Sequence, residues 1–179
     1  MKKAVFLDRD GVINKAIIKN NKPYPPKNLG QLEILPGVSE ALSALKNAGY
    51  KIIIVTNQPD VSRGKVSKDS VEEINSFLKK ELIIDDIRTC YHDDSDSCMN
   101  RKPNPGSLFS AAKDHDINLD KSFMIGDRWK DIEAGIRAGC KTIFIDYGYD
   151  EKQPEKSDFK FKSLNEACLH ILGEKIGKN

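Results

Sequence analysis

Short runs of consecutive apolar residues alternate along this chain with longer segments in which apolar positions recur every three or four residues. That alternation predicts a parallel sheet covered by helices. Ala4-Val5-Phe6-Leu7 and Lys51-Ile52-Ile53-Ile54-Val55 are too uniformly apolar for half-exposed strands and predict buried central ones. Between them Val38, Ala41, Leu42, Leu45 and Ala48 share one helical face, preceded by Pro36-Gly37 and stopped by Gly49. A second helix is expected from Ser70, with Glu73 completing a capping box and Val71, Ile74, Phe77 and Leu78 turned inward; a weak strand follows near Ile87 to Tyr91. Asn104-Pro105 predicts the start of a third helix carrying Leu108, Phe109, Ala111 and Ala112 inward. Ser122 to Ile125 reads as a strand closing at Gly126-Asp127, and Ile132 to Ala138 as a helix closing at Gly139. Lys141 to Ile145 reads as the last core strand and Ser163 to Leu172 as a final helix. Asn20 to Gly30 and Tyr147 to Ser157, rich in Pro, Lys and Asn, are expected as exposed loops within one domain spanning residues 1–179. The fold class is α/β, a doubly wound parallel sheet.

Composition narrows the functional classes. The chain has 179 residues, 39% hydrophobic and 31% charged, with 29 Lys plus Arg against 27 Asp plus Glu, a net +2. That length suits one core, and the near-neutral balance gives no reason to expect nucleic acid or an anionic membrane as partner. No apolar run approaches the roughly 20 residues of a bilayer span. The two opening lysines are followed by only a short apolar run before Asp8-Arg9-Asp10, so a secretory leader is not expected, and a cytoplasmic monomer is. Cys90 and Cys98 lie close together around His92, whereas Cys140 and Cys168 stand in apolar segments as core thiols; no disulfide framework is implied.

In an open parallel sheet ligands bind beyond the carboxyl ends of the strands, so the residues that follow each apolar run carry the chemistry. Here they are Asp8-Arg9-Asp10-Gly11, Thr56-Asn57 and Gly126-Asp127-Arg128, with Lys102 ahead of the third helix. One Asp-x-Asp at a strand end is ordinary solvated turn chemistry; several polar elements converging on one sheet edge are not. Clustered carboxylates repel unless a hard cation sits among them, which points to Mg²⁺ with Asp8 and Asp127 as ligands. A carboxylate beside Mg²⁺ can attack phosphorus, and Asp8 is the candidate nucleophile. Asp10 can protonate the leaving oxygen and then activate water, while Thr56 and Lys102 hold the phosphoryl group.

Phe6-Leu7-Asp8-Arg9-Asp10-Gly11-Val12-Ile13-Asn14, Val55-Thr56-Asn57-Gln58, Arg101-Lys102-Pro103 and Ile125-Gly126-Asp127-Arg128-Trp129-Lys130-Asp131 together resemble the four motifs of the haloacid dehalogenase (HAD) superfamily of phosphatases. The resemblance runs from Lys2 to about Ile145. It is nearest to the branch containing heptose 1,7-bisphosphate phosphatases and histidinol-phosphate phosphatases, whose marks include Thr-Asn-Gln followed by Ser62-Arg63-Gly64. The resemblance implies Asp8 as nucleophile, Asp10 as acid/base and backbone metal ligand, Asp127 as the completing Mg²⁺ ligand, and Asp131 as its support beside Arg128. It implies Asn57, Arg63 and Arg101 on the substrate side. Asp10 to Thr56 and Thr56 to Lys102 each span 46 positions, which leaves no room for a large cap domain.

Cys90-x-His92 with a later Cys98-x-Asn100 resembles the zinc loop of that branch with its last cysteine missing. Three ligands remain where a closed structural zinc site takes four. Two readings stay open: zinc completed by water or an acid such as Asp96, or a loop that holds no metal. The expected substrate is a small phosphorylated metabolite, with a sugar bisphosphate such as heptose 1,7-bisphosphate ahead of histidinol phosphate. A receiver-type phospho-aspartate domain is the alternative of another class, but its phosphoacceptor follows the third strand, where this sequence has Cys90 and His92.

Overall fold

The computed structural model of the chain describes residues 1–173. Lys3–Leu7 (β1) is followed by an antiparallel hairpin of Ile17–Lys19 (β2) and Lys22–Tyr24 (β3). Val38–Asn47 (α1) leads into Tyr50–Asn57 (β4), and Lys68–Glu81 (α2) into Asp86–Cys90 (β5). Gly106–His115 (α3) leads into Phe123–Gly126 (β6), and Trp129–Ala138 (α4) into Lys141–Ile145 (β7); Phe159–Phe161 (β8) and Leu164–Leu172 (α5) follow. The six-stranded sheet is parallel throughout, in the order β5-β4-β1-β6-β7-β8.

Helices cover both faces, and this explains the unbroken apolar runs. Val5 and Leu7 of β1, with Ile52 and Ile54 of β4, pack against α1, α2 and α5. Ala4 and Phe6, with Ile53 and Val55, pack against α3 and α4 on the other face. The period of two is present, but both sets of side chains are dry, each large one contributing roughly 1.5–3 kcal/mol. The chain builds outward from β1 through β4 to β5, then returns to β6 on β1's other side. The loops leaving β1 and β6 therefore part, and a crevice opens between their carboxyl ends. Between α2 and β5, Asp85 accepts from Lys46 Nζ at 2.5 Å, Lys51 Nζ at 2.7 Å and the Ile52 N–H at 2.9 Å. Burial works against its charge, but these donors outweigh it and hold the carboxyl down at about 2.

Four expectations are corrected. Helix α2 starts at Lys68, capped by Ser67 Oγ accepting from the Ser70 N–H; its buried stripe is Val71, Ile74, Asn75 and Leu78, and Phe77, at the edge of that stripe, is exposed. Helix α3 starts at Gly106, because the Asn104 side chain donates to the Cys98 carbonyl instead of capping, and Phe109 faces solvent. The expected loop from Asn20 holds half a hairpin: Asn20 and Asn21 take φ of 50° and 56°, the two left-handed residues that a two-residue turn between twisted strands requires. The sheet does not end at β7, since β8 adds an edge strand fixed where Asp158 accepts from the Thr142 N–H and hydroxyl. Among the described residues no helix is long and apolar enough to cross a membrane.

Candidate active site

Asp8 leaves the carboxyl end of β1 and Asp127 that of β6, so both enter the crevice at the point where the strand order reverses. Lys102 Nζ lies between them and Asp131, 2.8 Å from Asp8 Oδ1 and 2.7 Å from Asp131 Oδ1, and it also donates to the Val55 carbonyl at 2.6 Å. Asp131 spends its other oxygen on the Arg128 N–H at 3.0 Å, which ties the start of α4 to the lysine. Asp8, Asp127 and Asp131 bring carboxylate oxygens within 4.8 Å of one another. Burial pushes Asp8 up to about 7; Lys102 opposes the rise, and Asp131 and Asp10 add to it. Burial, Asp8 and Asp131 likewise hold Asp127 well above the usual carboxylate range. Burial works against the charge on Lys102, yet Asp131 and Asp8 keep it above its ordinary value.

Three buried carboxylates thus crowd round one ammonium, and the Tyr149 hydroxyl is the polar group that leans toward Asp127 without satisfying its oxygens. That donor set fits a hard divalent cation such as Mg²⁺. The backbone is shaped to it: Gly11 takes φ +97°, and a Cβ there would lie 2.5 Å from Asp127 Cγ and closer still to Oδ2. Tyr147 donates to the Gly11 carbonyl at 2.9 Å, fixing that turn.

Asp10 stands at the mouth of the same crevice in a cage of donors. Its Oδ1 accepts from Arg9 Nε at 3.2 Å and Asn14 Nδ2 at 3.0 Å, and its Oδ2 from Gln58 Nε2 at 2.7 Å. Arg9 is fully buried and is held in turn by Asn75 of α2 at 3.0 Å. Thr56 is buried beside Gln58, whose amide donates to its Oγ1 at 2.9 Å, which leaves the threonine's own proton free to donate. Asn57 does not aim its amide at the crevice centre: it donates to the Lys102 carbonyl at 2.9 Å and accepts from the Lys102 N–H at 3.1 Å, clamping that residue's backbone.

The crevice opens into a cleft of about 260 Å³. Its wall includes Arg63, Arg101 and Arg128, as well as Lys22 and Tyr24 from the hairpin. Each of these arginines is paired: Arg63 with Asp93, Arg101 with Asp94, and Arg128 with Glu151. Arg63 holds the Asp93 carboxyl down at about 2, and Arg101 with Lys130 holds Asp94 well below the usual range. Behind Arg101, Cys90, His92 and Cys98 come together, with Cys90 Sγ 3.7 Å from His92 Nδ1 and 3.8 Å from Cys98 Sγ. Burial pushes the Cys90 thiol up to about 11. Asn100 packs against Gly106, its backbone carbonyl accepting from Ser107 Oγ at 2.9 Å.

A family model for HAD-hydrolase-like proteins matches residues 99–167. A D-glycero-beta-D-manno-heptose-1,7-bisphosphate 7-phosphatase of Helicobacter pylori is 36% identical over 151 residues, covering 80% of this chain and 83% of the relative. The protein of the same description from Pasteurella multocida is 35% identical over 189 residues, covering 98% of this chain and all of the relative. The chain belongs to the HAD phosphatases, in the heptose bisphosphate phosphatase branch. A crystal structure of D,D-heptose 1.7-bisphosphate phosphatase from B. bronchiseptica, complexed with magnesium and phosphate, superimposes with a TM-score of 0.82 at 27% identity, covering 97% of this chain and 99% of that one.

As a HAD phosphatase the chain is a phosphoric monoester hydrolase, and several of its site residues carry no signal in the local sequence. Arg9, Asn14 and Gln58 lie inside the motifs, and only the fold turns them onto Asp10. Lys130 also lies inside a motif, and the fold alone turns it onto Asp94; Asn75, Asp94 and Glu151 lie outside the motifs. The only hint for Arg9 was its place between two acids, where a buried cation balances charge.

Proposed function

We propose that this phosphatase hydrolyses the 7-phosphate of a heptose 1,7-bisphosphate through an aspartyl-phosphate on Asp8. The observation that carries the reading is Asp8 held by Lys102 in a buried crevice, with carboxylate oxygens of Asp127 and Asp131 within 4.8 Å of its own. Mg²⁺, held by Asp8, Asp127 and the backbone carbonyl of Asp10, would neutralise phosphoryl oxygens and align the ester. Asp8 attacks phosphorus while Lys102 Nζ and the Thr56 hydroxyl hold phosphoryl oxygens. Asp10 gives its proton to the departing sugar oxygen, then takes one from the water that cleaves the acyl phosphate, returning Asp8 as a carboxylate. Asn57 and Asp131 keep Lys102 in place; Arg9, Asn14 and Gln58 orient Asp10.

The family names and the rim support a sugar bisphosphate over histidinol phosphate. The ammonium of histidinol phosphate calls for a free carboxylate, but Asp93 and Asp94 are taken by arginines, Asp60 pairs with Arg63, and Asp96 accepts from the Asp93 N–H. Cys90, His92 and Cys98 would hold zinc with a fourth ligand from solvent, steadying the loop that aims Arg101 and Lys102. Residues 1–179 then act as one catalytic unit without a large cap, in the cytoplasm. The deciding experiment is phosphate release from both anomers of heptose 1,7-bisphosphate, histidinol phosphate and an aryl phosphate. A heptose anomer is expected to give the highest kcat/KM; a higher value for histidinol phosphate would overturn the substrate and leave the phosphatase.

A further inference from the structure

The cations that the sequence offers to a second anionic group are already engaged by carboxylates of one loop. Asp94 Oδ1 accepts from Arg101 Nε at 2.9 Å and from Lys130 Nζ at 2.8 Å. It belongs to the short helical turn Asp94–Asp96 between β5 and α3, which Asp93 caps, and it reaches across the cleft wall to α4. The two sides of this contact differ in freedom. The Asp94 side chain is 62% exposed, whereas that of Arg101 is 8% exposed.

Exposed itself and bound to a buried arginine on the cleft wall, Asp94 therefore sits where an incoming anion would meet Arg101 and Lys130. Resting on the bisphosphate reading above, we infer that Asp94 is a specificity-determining residue, a built-in carboxylate that occupies the Arg101–Lys130 anion subsite and yields it to the substrate's second phosphate. A phosphate dianion carries more charge than the carboxylate and has oxygens enough to take Arg101 Nε and Lys130 Nζ together. A hydroxyl brings no charge and leaves Asp94 in place. The displaced side chain swings into water, which its exposure permits, and the arginine stays. The loop thus opposes every group that enters this subsite, and a dianion overcomes it where a hydroxyl does not, while a monophosphate that never reaches the subsite is unaffected.

The test is the ratio of KM for heptose 1,7-bisphosphate to KM for an aryl phosphate. Asp94→Asn keeps the shape and removes the competing charge, so the ratio is expected to fall roughly fivefold, the effect of one ionic contact near a protein surface. Lys130→Met removes a subsite cation and is expected to raise the same ratio several-fold. An unchanged or inverted ratio in both variants overturns the inference and leaves Asp94 a support of the loop. If wild type cleaves the aryl phosphate but neither heptose anomer, the substrate reading falls separately. Inhibition of aryl phosphate cleavage by fructose 1,6-bisphosphate then decides: tighter in Asp94→Asn sustains the subsite, equal or weaker sinks it.

Discussion

Replacing Gly11 by alanine tests whether the turn after β1 exists to let Asp127 approach. The added Cβ would stand 1.9 Å from Asp127 Oδ2 and 2.5 Å from Cγ, where ordinary contact begins near 3.4 Å, so the carboxylate must retreat by about 1.5 Å. Displacement of a reacting or ligating group by that much costs on the order of 10²-fold in rate. The backbone adds its own penalty, since φ +97° strains any residue with a side chain by about 1–3 kcal/mol. Against a net stability of roughly 5–15 kcal/mol the variant still folds. For a chain of this size that strain lowers Tm by roughly 3–10 °C. The assay is aryl phosphate cleavage across a Mg²⁺ titration, with thermal unfolding in parallel. Expected are a fall of about 100-fold in kcat/KM and a higher Mg²⁺ half-saturation in protein that unfolds cooperatively. Activity within about tenfold of wild type at an unchanged Mg²⁺ half-saturation would refute the reasoning.

Asp8→Asn is expected to leave the fold intact and to cut turnover at least ~100-fold; residual activity above a hundredth of wild type means that another group attacks phosphorus. Asp10→Asn is expected to slow esters of poor leaving groups far more than aryl phosphates, and equal losses on both would make Asp10 structural. Asp85, held down at about 2 from an ordinary 3.8, stabilises the fold above pH 4 and loses that contribution as pH falls through 2. Its partial exposure discounts the effect, so Asp85→Asn is expected to cost about 1–2 kcal/mol in urea unfolding at pH 7, with the gap to wild type closing as pH drops from 5. For the thiol loop, metal analysis of protein purified without added metal is expected to find zinc at no more than one equivalent, and more tightly held in Asn100→Cys. No zinc in either protein would remove the metal from the loop.

The chemistry was legible wherever it sat directly behind an apolar run. Asp8, Thr56 and Asp127 each follow the last buried residues of a strand, and a parallel sheet gathers such positions without further information. What surrounds them was not legible, because it is assembled across the fold. Asn75 reaches Arg9 over 66 positions and Lys130 reaches Asp94 over 36, and nothing local in either stretch announces the meeting. Helical spacing found the inward residues of α2 and α3 but not the edges of their buried stripes. Phe77 and Phe109 each stand one residue, about 100° of turn, from a buried leucine, and which flank of the stripe is covered depends on the neighbouring elements. The strand β8 is three residues long, too short for a period of two to stand out.

The hairpin β2–β3, with three residues in each strand, sends Lys22, Pro23 and Tyr24 to the cleft wall and is the largest element inserted between β1 and α1 among the described residues. Enzymes that shut a whole domain over their substrate are often paced by the reopening of that domain, a microsecond-to-millisecond swing. A roof this small needs no hinge, and product leaves through an opening that never closed. Thickening the solvent with sucrose is then expected to slow the encounter of enzyme with its best substrate while leaving the maximal turnover rate untouched.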